Sequence, residues 1–223
     1  MTPDQLRAAL RGVPDPDWLD TALRAVATEP ATITRFFPAA GRRCGRHDLP
    51  ALPGWTADEA ARALLLTALP TDHARYADVL YQQGDAAERR AVLKALPLLP
   101  VGTAGVPLLH DAIRTNDTRL VAAALGPYAR HLDPAAWRQA VLKCVFMAVP
   151  LAGVADVDAR ADGELAVMLA GLAAERQAAG RTMPDDAIDL LDRLTAGRAT
   201  IAGPAGGSDR ADARSDRLSA QEA

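Results

Sequence analysis

Strand-forming signals are scarce in this chain. Its 223 residues include only three Trp, three Tyr and three Phe, and no β-branched run of the kind that fits a pleated surface. No alternating apolar stretch and no Asn-Gly turn occurs, which excludes a sheet built from recognisable hairpins. Cysteine is nearly absent too. Cys44 and Cys144 lie far apart in different contexts, so there is no disulfide framework and no Cys/His spacing for a metal. Charge of one sign does not accumulate. A formal net charge of −3 removes the electrostatic footprint of a nucleic-acid binder. The longest apolar run, around Val141 to Ala155, is broken by Lys143 and Pro150 and is too short to span a bilayer. The start, Met1-Thr-Pro-Asp-Gln5, lacks the basic segment and apolar core of a signal peptide. With the reducing environment that so few cysteines imply, these absences point to a soluble cytoplasmic protein.

What the chain does have is helix-forming sequence. Apolar residues reach 49%, mostly Ala and Leu, the strongest helix formers. Start signals recur. Thr2 and Gln5, and Thr56 and Glu59, stand at capping-box spacing, and Asp85 with Glu88 is the Asp variant. Asp133 followed by Pro134 starts another helix, and Asp185 and Asp186 fall in a first turn after Pro184. Trp137, Val141, Cys144, Val145 and Ala148 share one helical face, as do Leu165, Met168, Leu169 and Leu172. The expected class is therefore all-α.

The starts at Thr56, Asp85 and Asp117 lie about thirty residues apart, the period of helical-hairpin repeats. They predict pairs: Thr56–Leu69 with Asp72–Gln83, Ala86–Leu96 with Ala104–Thr115, and Thr118–Tyr128 with Pro134–Val149. Stacked antiparallel hairpins of this kind make an α-solenoid, HEAT-like in form. No motif repeats at that period, so an irregular helical bundle is the alternative. The expected organisation is one all-helical domain over 1–196, interrupted by a long loop at 37–54, and a disordered C-terminal tail at 197–223. That tail has almost no large apolar residue to offset its ordering entropy.

Three groups of residues invite a chemical reading. Arg35, Arg42, Arg43 and Arg46 surround two glycines, and guanidinium forks recognise phosphate or carboxylate. The simpler reading is a connector whose arginines pair with acidic helix ends. The same arginines would favour a thiolate at Cys44, with His47 near in sequence as a base, yet a spectator thiol is the expectation. Cys144 reads as a core residue. The polar stretch His110, Arg114, Asn116 and Asp117 is either a patch on a concave face or a turn in which Asn116 or Asp117 caps the next helix. Finally, Asp158, Arg160, Asp162 and Glu164 crowd the start of a helix expected over Arg160–Ala179. Carboxylates there serve the cap and dipole more readily than acid–base work. Gly180 is its expected stop, beside Glu175, Arg176 and Arg181.

Together, several short motifs carry a resemblance. Gly54-Trp55 leads into Ala61-Arg62-Ala63-Leu-Leu-Leu66. Leu96-Pro97-Leu-Leu99, Arg114-Thr115-Asn116 and Pro127-Tyr128 follow, then Trp137 and Leu142-Lys143 with Phe146. The strongest block holds Asp158, Arg160, Asp162, Glu164, Met168-Leu169, Glu175-Arg176 and Ala178-Ala-Gly-Arg181. In these residues the chain resembles the EboA family, whose genes sit in an accessory cluster associated with making or exporting a secondary metabolite. The resemblance implies an accessory role with no assigned reaction, and proteins of the same cluster as partners.

Two functions therefore stand open. One is a non-catalytic scaffold that contacts pathway proteins. The other is a binder or enzyme acting on an anionic, phosphorylated or prenylated, metabolite through Arg35, Arg42, Arg43, Arg46, His110, Arg114, Asn116, Arg160 and Asp162. Neither calls for a metal or cofactor, and neither involves nucleic acid or a membrane span.

Overall fold

The computed structural model describes residues 1–201, with side chains through residue 196. Its helices are α1 (Pro3–Ala9), α2 (Pro16–Thr28), α3 (Ile33–Arg43), α4 (Ala57–Thr67), α5 (His73–Gln83), α6 (Ala86–Ala95), α7 (Val106–Arg114), α8 (Thr118–Ala124), α9 (Pro134–Phe146), α10 (Val157–Arg160), α11 (Gly163–Ala178) and α12 (Asp185–Ile201). The fold is all-α. Among the described residues the β pairing amounts to an isolated bridge between Asp48 and Thr56.

Local chemistry sets most helix ends. Thr2, Thr56 and Asp85 form capping boxes with Gln5, Glu59 and Glu88. Asp15, Asp117, Asp133 and Asp162 cap α2, α8, α9 and α11 by accepting a backbone N–H of the first turn. Each such cap stabilises its helix by about 1 kcal/mol, because it satisfies a donor the helix itself leaves free. At the end of α11, Gly180 takes a φ of 66°. Arg181 N–H then reaches the Arg176 carbonyl at 2.8 Å, which closes a Schellman motif on the residue type that adopts that backbone most cheaply.

α4 is the centre of the molecule. Ala57, Ala60, Ala61, Ala63, Leu64, Leu65 and Leu66 are all buried, so the helix is apolar around most of its circumference, as an inner helix must be. It packs on α1, α2, α3, α5 and α6, and α6 packs in turn on α8. One continuous apolar core runs from Leu6 in α1 to Leu190 in α12.

Four expectations are corrected. The loop expected at 37–54 is helical as far as Arg43, since α3 carries Phe37 and Ala40, with Cys44 just beyond, on the face that starts at Ile33. That buried stripe outweighs Pro38 and Gly41, whose local signals read as breakers. The helix expected from Arg160 to Ala179 starts three residues later, at Gly163, and Arg160 instead closes the short α10. Asp162 has extended backbone and accepts the Leu165 N–H at 3.0 Å, so α11 starts afresh there. Helix pairing differs in part: α8 packs on α9 as expected, but α5 packs more on α6 than on α4, and α7 packs on α8 rather than on α6. Only Gly84 and Asp85 join α5 to α6, and only Thr115–Asp117 join α7 to α8. Links this short fold consecutive helices onto each other. Finally, the tail expected from residue 197 begins inside α12, which continues to Ile201. Its residues 202–223 lie outside the described residues.

The segment between α3 and α4 is drawn into a compact loop. Leu49 N–H donates to the Trp55 carbonyl and Ala57 N–H to the His47 carbonyl, both at 2.9 Å. This fixes Trp55 and Thr56 at the entrance to α4, where the charged residues of the interior gather.

Candidate functional site

Three charged residues of α4 are fully inside the protein: Asp58, Glu59 and Arg62 are 3%, 1% and 1% exposed. A buried charge is tolerated only when paired and hydrogen-bonded, and each of these is. Arg62 Nη1 donates to Asp58 Oδ2 at 2.5 Å, one helical turn away, and its Nε donates to the Phe37 carbonyl of α3 at 3.1 Å. Its guanidinium also lies over the Phe37 ring, 5.5 Å from the centroid, and 3.7 Å from Glu88 Oε1 of α6. Thr56 Oγ1 donates to the second oxygen of Asp58 at 2.6 Å.

Glu59 holds a second set. It accepts the Thr56 N–H at 3.0 Å, Lys94 Nζ at 2.5 Å and Arg90 Nε. Lys94 also donates to the Gly54 carbonyl at 2.6 Å and sits 4.2 Å from the centroid of the Trp55 ring. Burial pushes the Lys94 ammonium down from its ordinary range, while the Glu59 carboxylate opposes that shift. Two cations thus share one carboxylate, and the group keeps a surplus positive charge.

Next to this network is a cleft of about 170 Å³ lined by Arg46, Thr56, Asp58, Ala86, Ala87, Arg90 and Arg119. It lies where the first turns of α4 and α6 meet the loop after α3. Three guanidiniums face one carboxylate, and both oxygens of that carboxylate are taken by Thr56 and Arg62. Arg119 is clasped by its neighbour Asp117, with Nε to Oδ1 at 3.1 Å and Nη2 to Oδ2 at 2.9 Å. Those bonds hold the Asp117 carboxyl below its usual range. Two larger clefts exist, of about 390 Å³ among α1, α2 and α4 and about 490 Å³ beside α10 and α12. Part of their lining charge pairs internally, Arg7 with Asp20 at 2.6 Å and Arg193 with Asp158 at 3.0 Å, while Asp4 and Arg24 in the first bring opposite charges to one space.

The residues expected from the sequence disperse over the fold. Arg35, Arg42 and Arg43 are exposed on α3, where Arg43 pairs with Asp15 at 3.1 Å. Arg46 alone of the nine lines any of these three clefts. Its side chain crosses Gly41 so closely that a Cβ there would meet Arg46 Nε at 2.9 Å. His110 and Arg114 lie on α7, and Arg114 donates to Asp111 at 3.3 Å. Asn116 is exposed in the following turn, where Asp117, not Asn116, caps α8. Arg160 spans two backbone carbonyls, Ala129 at 2.7 Å and Leu132 at 2.9 Å, over the Trp137 ring. Asp162 caps α11 and takes a forked contact from Arg138, whose Nη2 lies 2.5 Å away. These bonds, the Arg138 contact foremost, hold the Asp162 carboxyl low.

Neither thiol is poised for attack. Burial, with Asp15 and Asp58 nearby, pushes Cys44 up to about 11, and burial pushes Cys144 up to about 12. The Arg42 and Arg43 side chains are exposed at the end of α3, while Cys44 is fully buried. No set of three or more His, Cys, Asp or Glu is placed to hold a metal among the described residues, and no described helix is long and apolar enough to cross a membrane.

Sequence reading missed the α4 network and Arg90, Lys94 and Arg119. One signal was available. In Ala57–Thr67 the charges Asp58, Glu59 and Arg62 interrupt a segment that is otherwise nearly all Ala and Leu. A helix apolar on every side must be internal, so its charges must be internal as well.

A family model described as "Metabolite traffic protein EboA" matches residues 18–192. That span holds α3 to α11, the buried network and the Arg46–Arg90–Arg119 cleft. No curated protein matched the chain, and no solved structure did.

Proposed function

The chain belongs to the EboA family, and on that premise we propose that it is a non-catalytic accessory protein of metabolite traffic that works by contacting other proteins of its pathway. The observation that carries this reading is a set of large apolar side chains left in water at one end of the chain. Phe146 on α9 is 67% exposed, Val167 on α11 57% and Ile188 on α12 42%. α11 packs against both α9 and α12. A contiguous apolar patch marks a contact for another protein, and we infer one from three such side chains on helices that pack together. The interior supports the same reading, since its buried charges bond to each other and to backbone rather than to an open site.

Affinity capture from the native host tests it. The tagged protein should recover at least one protein encoded in the same gene cluster, and Phe146→Asp combined with Val167→Asp should lose it. Recovery of no cluster-encoded protein by the unaltered chain would refute the scaffold. A second reading, an anionic-metabolite binder, is favoured by one observation: the arginine-lined cleft at the entrance to α4 and α6.

A further inference from the structure

We propose that the cleft between Arg46, Arg90 and Arg119 is a subsite for the terminal phosphate group of a small organic molecule. The inference rests on the second reading above and gives it a chemical class. Its first support is the inventory of unused donors. Arg46 donates to no acceptor among the described residues, Arg90 uses only its Nε, on Glu59, and Arg119 uses Nε and Nη2 on Asp117. Guanidinium N–H groups with no acceptor therefore approach the cleft from three separate chain segments. The backbone N–H groups of Ala86 and Ala87, also in the lining, likewise have no acceptor among the described residues.

The second support is shape. A carboxylate offers two oxygens in one plane, whereas a phosphate monoester offers three that diverge. Arginines contributed by α6, α8 and the loop after α3 to one cleft suit an acceptor set that diverges. α6 also turns Ala86 and Ala87 of its first turn toward the same space, and the positive end of its dipole adds to the arginines, whereas the first turn of α4 is occupied by Asp58 and Glu59.

The third support is size. A cleft of about 170 Å³ equals the liquid volume of roughly six waters at ~30 Å³ each. Whole drug-sized ligands occupy roughly 300–1,000 Å³. This space takes a charged head group and leaves the rest of the molecule outside it. The floor is rigid, because Asp58 and Glu59 are locked by Thr56, Arg62, Arg90 and Lys94. Arg90 and Arg119 are each already held by a carboxylate, so those two donors lose little freedom on binding.

Titration calorimetry on the full chain at constant ionic strength tests the proposal, with inorganic phosphate, phenyl phosphate and acetate as probes. Both phosphates should bind saturably at one site, phenyl phosphate at least as tightly as the inorganic ion, and acetate should bind more weakly. Arg46→Ala removes an exposed side chain with no partner, so the unliganded melting temperature should stay put while phosphate affinity falls about 10- to 100-fold. Arg42→Ala, outside the cleft, should leave affinity unchanged. Three results each overturn the proposal: no saturable binding of phenyl phosphate, binding of inorganic phosphate alone, or equal affinity in Arg46→Ala. Partner capture needs none of these reagents, so the scaffold and the subsite fail independently.

Discussion

Replacing Arg62 with Met is the sharpest probe of how the interior is held. Met is close in length and removes only the charge and the donors. Three things are lost: the 2.5 Å contact to Asp58, the 3.1 Å bond to the Phe37 carbonyl and the attraction of Glu88 at 3.7 Å. Asp58, 3% exposed, would be left as a buried carboxylate held by the Thr56 hydroxyl alone. Removing one partner of a buried pair costs about 3–5 kcal/mol, because the survivor is an uncompensated charge. For a chain of this length that is a fall of roughly 6–20 °C in melting temperature. Asp58→Ala is milder, since Arg62 keeps the Phe37 carbonyl and Glu88. The double variant Asp58→Ala/Arg62→Met removes both charges together, so it should cost about 2–3 kcal/mol less than the sum of the single losses. Urea unfolding followed by near- and far-ultraviolet circular dichroism measures all three, with m-values expected to stay constant. Strict additivity, or a loss below about 1 kcal/mol for Arg62→Met, would show that the pair carries no tertiary constraint.

Other outcomes follow from single contacts. Native protein at pH 8 should resist thiol reagents, because a thiol with a pKa of about 11 or 12 is thiolate in only about one molecule in a thousand or fewer; both cysteines should react in denaturant, and fast labelling of either in native protein would contradict their placement. Asp162 is held below the ordinary carboxyl value of 3.8, so its ionised form stabilises the fold above that value and the contribution fades as pH falls through the lower folded-state pKa. Arg138→Ala should therefore lower stability near neutrality, where this contribution is fully present, and move the acid-unfolding midpoint upward, and its deficit should shrink as pH falls through the folded-state pKa of Asp162. Ala148 closes the end of α9 at a φ of 56°, with Val149 N–H bonded to the Cys144 carbonyl at 2.9 Å. A side chain in the left-handed region costs about 1–2 kcal/mol, so Ala148→Gly should raise stability by up to about 1 kcal/mol. A drop in thermal stability would refute that strain.

Local signals were legible in the residues because they act over one helical turn. Thr56 with Glu59, Asp85 with Glu88 and the cap at Asp133 need only their own neighbours, and so does the stop at Gly180. The extent of α3 was not legible. Pro38 and Gly41 are read locally, whereas the burial of Phe37 depends on Arg62 and the rest of α4, some 25 positions further on. Helix pairing was legible only in part, for a related reason: α8 packs on α9 as expected, but α5 and α7 pack on later neighbours. A period of thirty residues says how often helices start, but the lengths of the links decide which of them lie side by side.

The candidate site divides in the same way. Closeness in sequence groups Arg35, Arg42, Arg43 and Arg46 as one unit. Folding places three of them on α3 and carries Arg46 to residues from α4, α6 and α8. Arg160 and Asp162, two positions apart in the chain, serve different partners, the carbonyls before α9 and the side chain of Arg138.

By itself, then, the sequence determined the all-α class, most helix starts and the family, because composition, caps and short motifs are properties of neighbouring residues. The tertiary structure decided which charges are buried, which arginines share a cleft and which apolar side chains meet water. Those depend on contacts spanning 25 to 40 positions, such as Arg62 to Phe37 and Lys94 to Gly54, and contacts at that range exist only once the chain is packed.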